Sequence, residues 1–273
     1  MTIKIGRYTE PGLGSVNTWW IEADRGVIVI DGQRELSKAR KALREIEATG
    51  KPIVAVFLTH PHPDHFGGIG VFSPEGSDVP VYGSAQTRAS IEADRWGLVK
   101  ASHEVVGDDF PASVRLPTHV LADNQPVEIT GVTIVPAEMG GGEAECMTVL
   151  HLPTERISFA ADIVQHRMTA FLLEGRARAW VAQLRALRER FHDVETLYPG
   201  HGDAGPANDL IDAQIEYLEA FIRLAAEGGG EPDVVATRAA AVMRERYPGY
   251  QPVAAIPDLL DQNAAALVKE IAS

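Results

Sequence analysis

The 273-residue chain contains a single cysteine, Cys146. One thiol excludes an intramolecular disulfide framework and any cysteine-rich zinc motif, and it suits a reducing compartment. Cys146 is therefore predicted to be a small buried hydrophobe. Positive charge is also scarce: 25 Lys and Arg face 38 Asp and Glu, giving a formal net charge of −13 without a basic cluster. That balance repels phosphate backbones and argues against a nucleic-acid partner. Long apolar runs are missing as well. No stretch reaches the roughly eighteen consecutive apolar residues a membrane span needs, and the opening Met1-Thr2-Ile3-Lys4-Ile5-Gly6-Arg7 lacks the apolar core of a signal peptide. These absences predict a soluble, cytoplasmic protein that does not engage a membrane.

What is present is enough apolar material, 45% of the residues, for one large domain with or without a helical extension. Residues 14–22 and 26–32 read as two strands joined by the polar turn Ala23-Asp24-Arg25. Residues 35–49 carry Leu36, Ala39, Leu43 and Ile46 at helical spacing and close on Gly50, so they predict an amphipathic helix. A strand at 52–58 follows, and strand, helix, strand in succession argues for α/β layers. Further on, the pattern predicts a short strand at 79–83, a helix over 85–102 and an irregular stretch over 103–124. Strands meeting at Gly131 and a hairpin over 147–161 come next, with Asp162 at the end of its second strand. A helix over 177–191 and a strand at 194–198 then deliver the turn Pro199-Gly200-His201-Gly202. Residues 207–227, 232–246 and 257–272 read as helices, the first two separated by Gly228-Gly229-Gly230. Trp19 and Trp20 are predicted to pack in the core and at its rim.

The chemistry is concentrated in Thr59-His60-Pro61-His62-Pro63-Asp64-His65-Phe66-Gly67-Gly68, which places three imidazoles and a carboxylate within six positions. The apolar, partly β-branched run before it predicts a buried strand that delivers this loop at its C-terminal end, where open α/β architectures place their ligand sites. Neutral imidazole and carboxylate are the groups by which proteins hold zinc and neighbouring divalent metals. His60 and His62 are placed to face one metal. Asp64 and His65, offset by the turns that Pro61 and Pro63 impose, are placed to face a second, at the spacing on which two-metal hydrolases depend. The plainer alternative is a polar loop with exposed histidines. His103 and His119 have no ligand-like neighbours and read as surface or packing residues, while His151 sits inside a predicted strand two residues before Pro153 and is poorly placed to be a ligand.

This loop resembles the signature of the metallo-β-lactamase-fold hydrolases, and the resemblance runs over about residues 15–205. It implies an α/β fold of the four-layer αββα kind, here a catalytic domain over 1–205 with a helical C-terminal extension over 206–273. It further implies a metal site of His60, His62 and a third-motif residue, a second of Asp64, His65 and His201, and Asp162 as the bridge between them. Asp31 matches a family aspartate near the metals, although an ordinary Asp-Gly turn explains it equally well.

The chain departs from the common pattern in two places. No histidine lies between His119 and His151 to serve as the third motif, and Ala161-Asp162 stands where the family usually has Gly-Asp. A glutamate fills the third-motif position in the alkylsulfatase-like branch. The same offset from Pro153 and Asp162 selects Glu143 over Glu145, which local chemistry by itself does not separate. Two divalent metals bring four positive charges, of which Asp64, Asp162 and Glu143 would neutralise three. The site is then less electrophilic than one with a third histidine, and manganese or iron competes better with zinc.

The function that the resemblance implies is a binuclear metal hydrolase. A bridging hydroxide would attack an ester, lactone, β-lactam or related bond of a small-molecule substrate, with Asp64 also orienting the nucleophile. The competing readings are a mononuclear iron oxygenase on the same fold and a non-catalytic protein whose metals only staple its loops. The fold hosts many chemistries, so bond type is left open.

Overall fold

Residues 26–30 and 53–57 are apolar at every position, and the structure uses both faces of each run. Val27, Val29 and Val56 point into one hydrophobic cluster while Ile28, Ile30, Ala55 and Phe57 point into another. Strands buried on both sides need a layer on each side. A computed structural model of the chain describes residues 2–227 and 230–272 and supplies those layers.

The first sheet contains β1 (Lys4–Tyr8), β2 (Thr18–Ala23), β3 (Gly26–Ile30), β4 (Ile53–Phe57), β5 (Val81–Ser84) and β6 (His119–Leu121) in sequence order. Its first two pairings are antiparallel and the others parallel. Helix α1 (Leu36–Glu47) covers its outer face through Ala39, Ala42 and Ile46. The short α2 (Pro63–Phe66) and α3 (Ile69–Phe72) belong to the same layer. Two more helices, α4 (Ala85–Ala93) and α5 (Leu98–Val106), follow β5.

Six further strands form the second sheet: β7 (Val127–Ile129), β8 (Val132–Glu138), β9 (Thr148–Leu152), β10 (Ile157–Gln165), β12 (Thr196–His201) and β13 (Gly205–Pro206). The strand β11 (Met168–Thr169) leaves this sheet and pairs with β14 (Gln251–Pro252). Helices α6 (Ala177–Arg190), α7 (Ala207–Ala226), α8 (Pro232–Arg246) and α9 (Leu259–Ala272) lie on the outer side. Leu184, Phe221, Met243 and Leu267 share one core with Val149 and Ile163 of the sheet, so the C-terminal helices complete this hydrophobic layer. Between the two sheets Trp19, Ile30 and Phe57 meet Ile134, Leu150 and Phe159. The architecture is the expected αββα sandwich.

Several elements differ from the sequence reading. β1 was not predicted; it is a partly exposed edge strand with weak alternation. The helix predicted over 85–102 is two helices, because Asp94 (φ 38°) and Gly97 (φ 65°) take left-handed conformations between them. Asp94 Oδ1 then accepts the Leu98 N–H at 2.7 Å and the Val99 N–H at 3.3 Å, capping the second helix. The stretch predicted as irregular over 103–124 contains the end of α5 and the strand β6. Asp162 lies inside β10, not at its end. The pairing of β10 with β12 shifts register around Ala161, whose φ is 47°. A bulge of this kind re-aims the side chains beside it. The Gly228-Gly229 part of the predicted break lies outside the described residues.

Candidate metal centre

The loop after β4 begins at Thr59, and its anchor is Asp31 at the end of β3. Asp31 Oδ1 accepts the Thr59 N–H at 2.9 Å, and Oδ2 accepts both the Thr59 hydroxyl at 2.7 Å and His65 Nδ1 at 2.9 Å. Asp31 is thus a structural partner of the loop, in a left-handed conformation with φ 57°. Opposite it, the turn bearing His201 is fixed by the segment before β2. The Asn17 side chain donates to the carbonyls of Pro199 at 3.0 Å and Gly202 at 2.7 Å, and Trp19 Nε1 donates to Pro199 at 2.8 Å. Trp19 therefore packs between the sheets and also holds the second sheet's loop.

Each histidine has one ring nitrogen occupied by a partner and the other turned inward. His60 Nδ1 meets Thr59 Oγ1 at 2.9 Å; that hydroxyl already donates to Asp31, so the imidazole N–H is the donor. His65 Nδ1 is held by Asp31 and His201 Nδ1 by the Ser15 carbonyl. His62 is reversed: its Nε2 meets Glu174 Oε1 at 3.0 Å and its Nδ1 faces Glu143 Oε1 at 3.3 Å. These partners orient the rings, turning Nε2 of His60, His65 and His201 and Nδ1 of His62 into one space, where each can act as a ligand once its ring is neutral.

Three carboxylates converge on the same space. Glu143 Oε2 is 3.9 Å from His60 Nε2, Asp162 Oδ1 is 3.2 Å from His65 Nε2, and Asp162 Oδ2 is 2.9 Å from His201 Nε2. Asp64 Oδ2 lies 3.6 Å from His201 Nε2. His60, His62, Glu143 and Asp162 form one group whose potential ligand atoms lie within 4.8 Å of one another; Asp64, His65 and His201 form a second. All seven predicted site residues are buried and brought together, and Asp162 touches both groups. Glu145 is not in either cluster and lines a neighbouring cavity with Ser90 and Asp94. Asp31, His60 and His65 also approach one another closely, but both Asp31 oxygens are already engaged by the loop.

The electrostatics are those of a site built for added positive charge. Burial pushes the Glu143 carboxyl up to about 7, against the opposing pull of His62. Burial and the neighbouring His65 drive His60 well below the ordinary histidine value. Burial also disfavours charged His62 and His65, but Glu143 and Glu174 together outweigh it for His62, Asp162 and Asp31 outweigh it for His65, and both stand well above that value. Asp162 is held well below the usual carboxylate range because His201 and His65 overcome its burial. His60 Nε2, His65 Nε2, Asp162 Oδ1 and both Glu143 oxygens are buried with no hydrogen-bond partner. Orphaned donor atoms of this chemistry, gathered at one point, fit divalent metals.

Sequence reasoning missed Glu174 and Ser15, and the part Thr59 plays in anchoring the loop. Glu174 is an isolated acid in Leu172-Leu173-Glu174-Gly175-Arg176, and nothing in its local sequence marks it. The three histidines set aside pack on aromatic rings: His103 on Phe110, His119 on Tyr82 and His151 on Phe191. Cys146 is buried, as predicted. Among the described residues no helix is long and apolar enough to cross a membrane.

An αββα sandwich with a His, Asp and Glu cluster after β4 defines the class of metallo-β-lactamase-fold proteins. The profile of the metallo-beta-lactamase superfamily matches residues 11–201, and the chain belongs to that family. It is 26% identical over 231 residues to a linear primary-alkylsulfatase of Pseudomonas sp., covering 70% of this chain and 42% of that protein, so it spans less than half the alkylsulfatase's length. It is 22% identical over 227 residues to metallo-beta-lactamase type 2 of Bacteroides fragilis, covering 79% of this chain and 83% of that one. The solved metallo-beta-lactamase of Pontibacter korlensis superposes with a TM-score of 0.63 at 20% identity, over 80% of this chain and 94% of the other.

Proposed function

We propose that the chain is a binuclear metal-dependent hydrolase of small molecules, cleaving an ester, lactone, β-lactam or related bond. The observation that carries this reading is the convergence of unpartnered, buried donor atoms from two ligand groups that share Asp162. His60, His62 and Glu143 would hold one divalent ion, Asp64, His65 and His201 the other, with Asp162 between. When bound, two such ions supply Lewis acidity and an acidified water nucleophile. The chain's own part is to hold the ligand atoms rigidly, through Asp31, Thr59, Ser15 and Glu174, and to exclude bulk water with the apolar cleft above them. Asp64 lines the cleft, where its carboxylate would help to hold a metal and would orient a nucleophile toward a bound substrate.

Zinc is the proposed metal, with manganese or iron favoured more than in an all-histidine first site because Glu143 adds negative charge. The completeness of the Asp64, His65 and His201 group supports two ions over the single iron of an oxygenase. Related superfamily members that act on sulfate esters or β-lactams make hydrolysis the natural reaction class. The test joins elemental analysis with turnover on a panel of lactones, β-lactams, thioesters and sulfate esters. Close to two divalent ions per chain, with turnover of at least one panel member that is lost in Asp64→Ala, is the expected result. One iron per chain after repletion, or undiminished turnover in Asp64→Ala, overturns it.

A further inference from the structure

The family profile ends at residue 201, yet the last helix, α9, is tied into the metal centre. Asn263 on α9 is fully buried, and its amide bonds to the backbone just past β11. Its Oδ1 accepts the Leu172 N–H at 2.9 Å and its Nδ2 donates to the Ala170 carbonyl at 2.6 Å. Residues 170–172 lie beyond the pairing of β11 with β14, so Asn263 supplies the bonds that a neighbouring strand would otherwise give. Side chains alternate along this extended stretch. Ala170 and Leu172 enter the core that α9 shares, while Phe171 and Leu173 line the cleft. The Phe171 ring stands edge-on to His62, with centroids 5.8 Å apart.

Further along, α9 holds the other end of the same segment. Arg176 precedes α6 and gives it no side-chain cap. Glu270 does so from outside, accepting the Ala177 N–H at 3.2 Å and the Arg178 N–H at 3.4 Å. Between these anchors sit the groups that brace the first ligand set. Glu174 Oε1 is 3.0 Å from His62 Nε2. Arg176 pairs with Glu174 and donates from Nε to the Gly142 carbonyl at 3.1 Å and from Nη2 to the Glu143 carbonyl at 3.3 Å. His65 and His201, of the second set, are held instead by Asp31 and the Ser15 carbonyl.

We propose that α9 is a positioning clamp for one half of the metal centre: Asn263 and Glu270 hold residues 170–178 at both ends, and that segment sets the His62 ring and the Glu143 loop. Neither residue lines the cleft or belongs to a ligand group, so both act through others. A ligand is oriented only as well as its supports are, and a loosened support lowers metal affinity. The clamp deepens the two-metal reading and rests on it for its effect on function.

The first readout does not depend on metal. Ring nitrogen resonances of histidine-labelled protein, as purified, are assigned with His62→Gln, His65→Gln and His201→Gln and compared with those of Asn263→Leu, Glu270→Ala and Glu270→Gln, circular dichroism confirming the fold. Asn263→Leu should shift His62 and leave His65 and His201 in place. Glu270→Ala should shift His62 less, and Glu270→Gln, whose amide oxygen still accepts, should match wild type. The second readout is metal affinity by chelator competition. Asn263→Leu should weaken the ion that depends on Glu143 by about tenfold or more. In a Glu143→Ala background the same substitution should change the remaining affinity little. Equal movement of all three histidines, an unmoved His62 in the folded variants, or a loss of affinity that is the same with and without Glu143 overturns the clamp. If Asn263→Leu does not fold, Glu270→Ala against Glu270→Gln decides by the same criteria. A selective shift of His62 in a protein that binds fewer than two ions, or turns over none of the panel, leaves the clamp standing and removes the two-metal hydrolase.

Discussion

His62 Nε2 lies 3.0 Å from Glu174 Oε1, a contact between residues 112 apart in sequence, and Glu174 is itself paired with Arg176. The contact turns His62 Nδ1 toward Glu143 and fixes the ring. Partners of this kind are worth about 10- to 100-fold in metal affinity. Glu174→Ala is therefore expected to weaken metal binding by at least about tenfold, read by competition with a chelator, and Glu174→Gln to lose less because its amide oxygen still accepts. Unfolding of the metal-free variant separates this from general destabilisation. An unchanged affinity in Glu174→Ala would falsify the role.

Glu143 and Glu145 are two residues apart, yet only Glu143 reaches the histidines. Glu143→Ala should lose metal and turnover together. Glu143→His should recover part of both, since imidazole binds the same divalent metals. Glu145→Ala should keep its metal. Loss of metal in Glu145→Ala with retention in Glu143→Ala is the pattern that defeats this assignment.

Gly200 leaves room for the shared carboxylate. A Cβ there would stand 1.7 Å from Asp162 Oδ1 and 3.0 Å from His65 Cε1. Both neighbours are buried and held, so Gly200→Ala should displace Asp162, reduce metal stoichiometry toward one, and destabilise the fold by about 1–3 kcal/mol. Elemental analysis and denaturant titration check the two effects; a variant with full metal content and wild-type stability contradicts the geometry.

Metal loading should depend on pH with a definite sign. Glu143 is pushed to about 7 by burial, so its carboxyl must lose a proton before it can act as a ligand, and affinity should rise as pH passes upward through about 7 with release of protons. In the metal-free protein the effect on stability is opposite. The native state holds protons on Glu143, His62 and His65 more tightly than the unfolded chain does, so their contribution is present at low pH and is lost as pH rises through the folded values. The gap in melting temperature between loaded and chelated protein should widen from about pH 6 to about pH 8. A gap that narrows over that range argues against Glu143 as a ligand.

Much of this centre was legible in the sequence because its parts are local. The run from His60 to His65 sits between an apolar strand and two glycines, so spacing and strand position point to ligands, while Pro199-Gly200-His201 after another strand was marked by its resemblance to the family's last metal motif. The layers were legible for the same reason: a strand, an amphipathic helix and a second strand in succession over residues 26–58 argue for α/β layers. The split of the predicted helix at Asp94 and the bulge at Ala161 were not, since both depend on left-handed residues that single-sequence periodicity does not register.

What the sequence determined by itself is the cluster of metal-binding groups from His60 to His65 and a layered α/β order of strands and helices, because ligand type and hydrophobic period are properties of short stretches; the αββα arrangement and the distant ligands were implied by the family resemblance. Only the tertiary structure decided which nitrogen of each imidazole faces inward, that Asp31 anchors the loop through Thr59 and His65, and that Glu174 braces His62. Those are distances between segments far apart in the chain, set by how two sheets pack against each other. No local pattern carries that information.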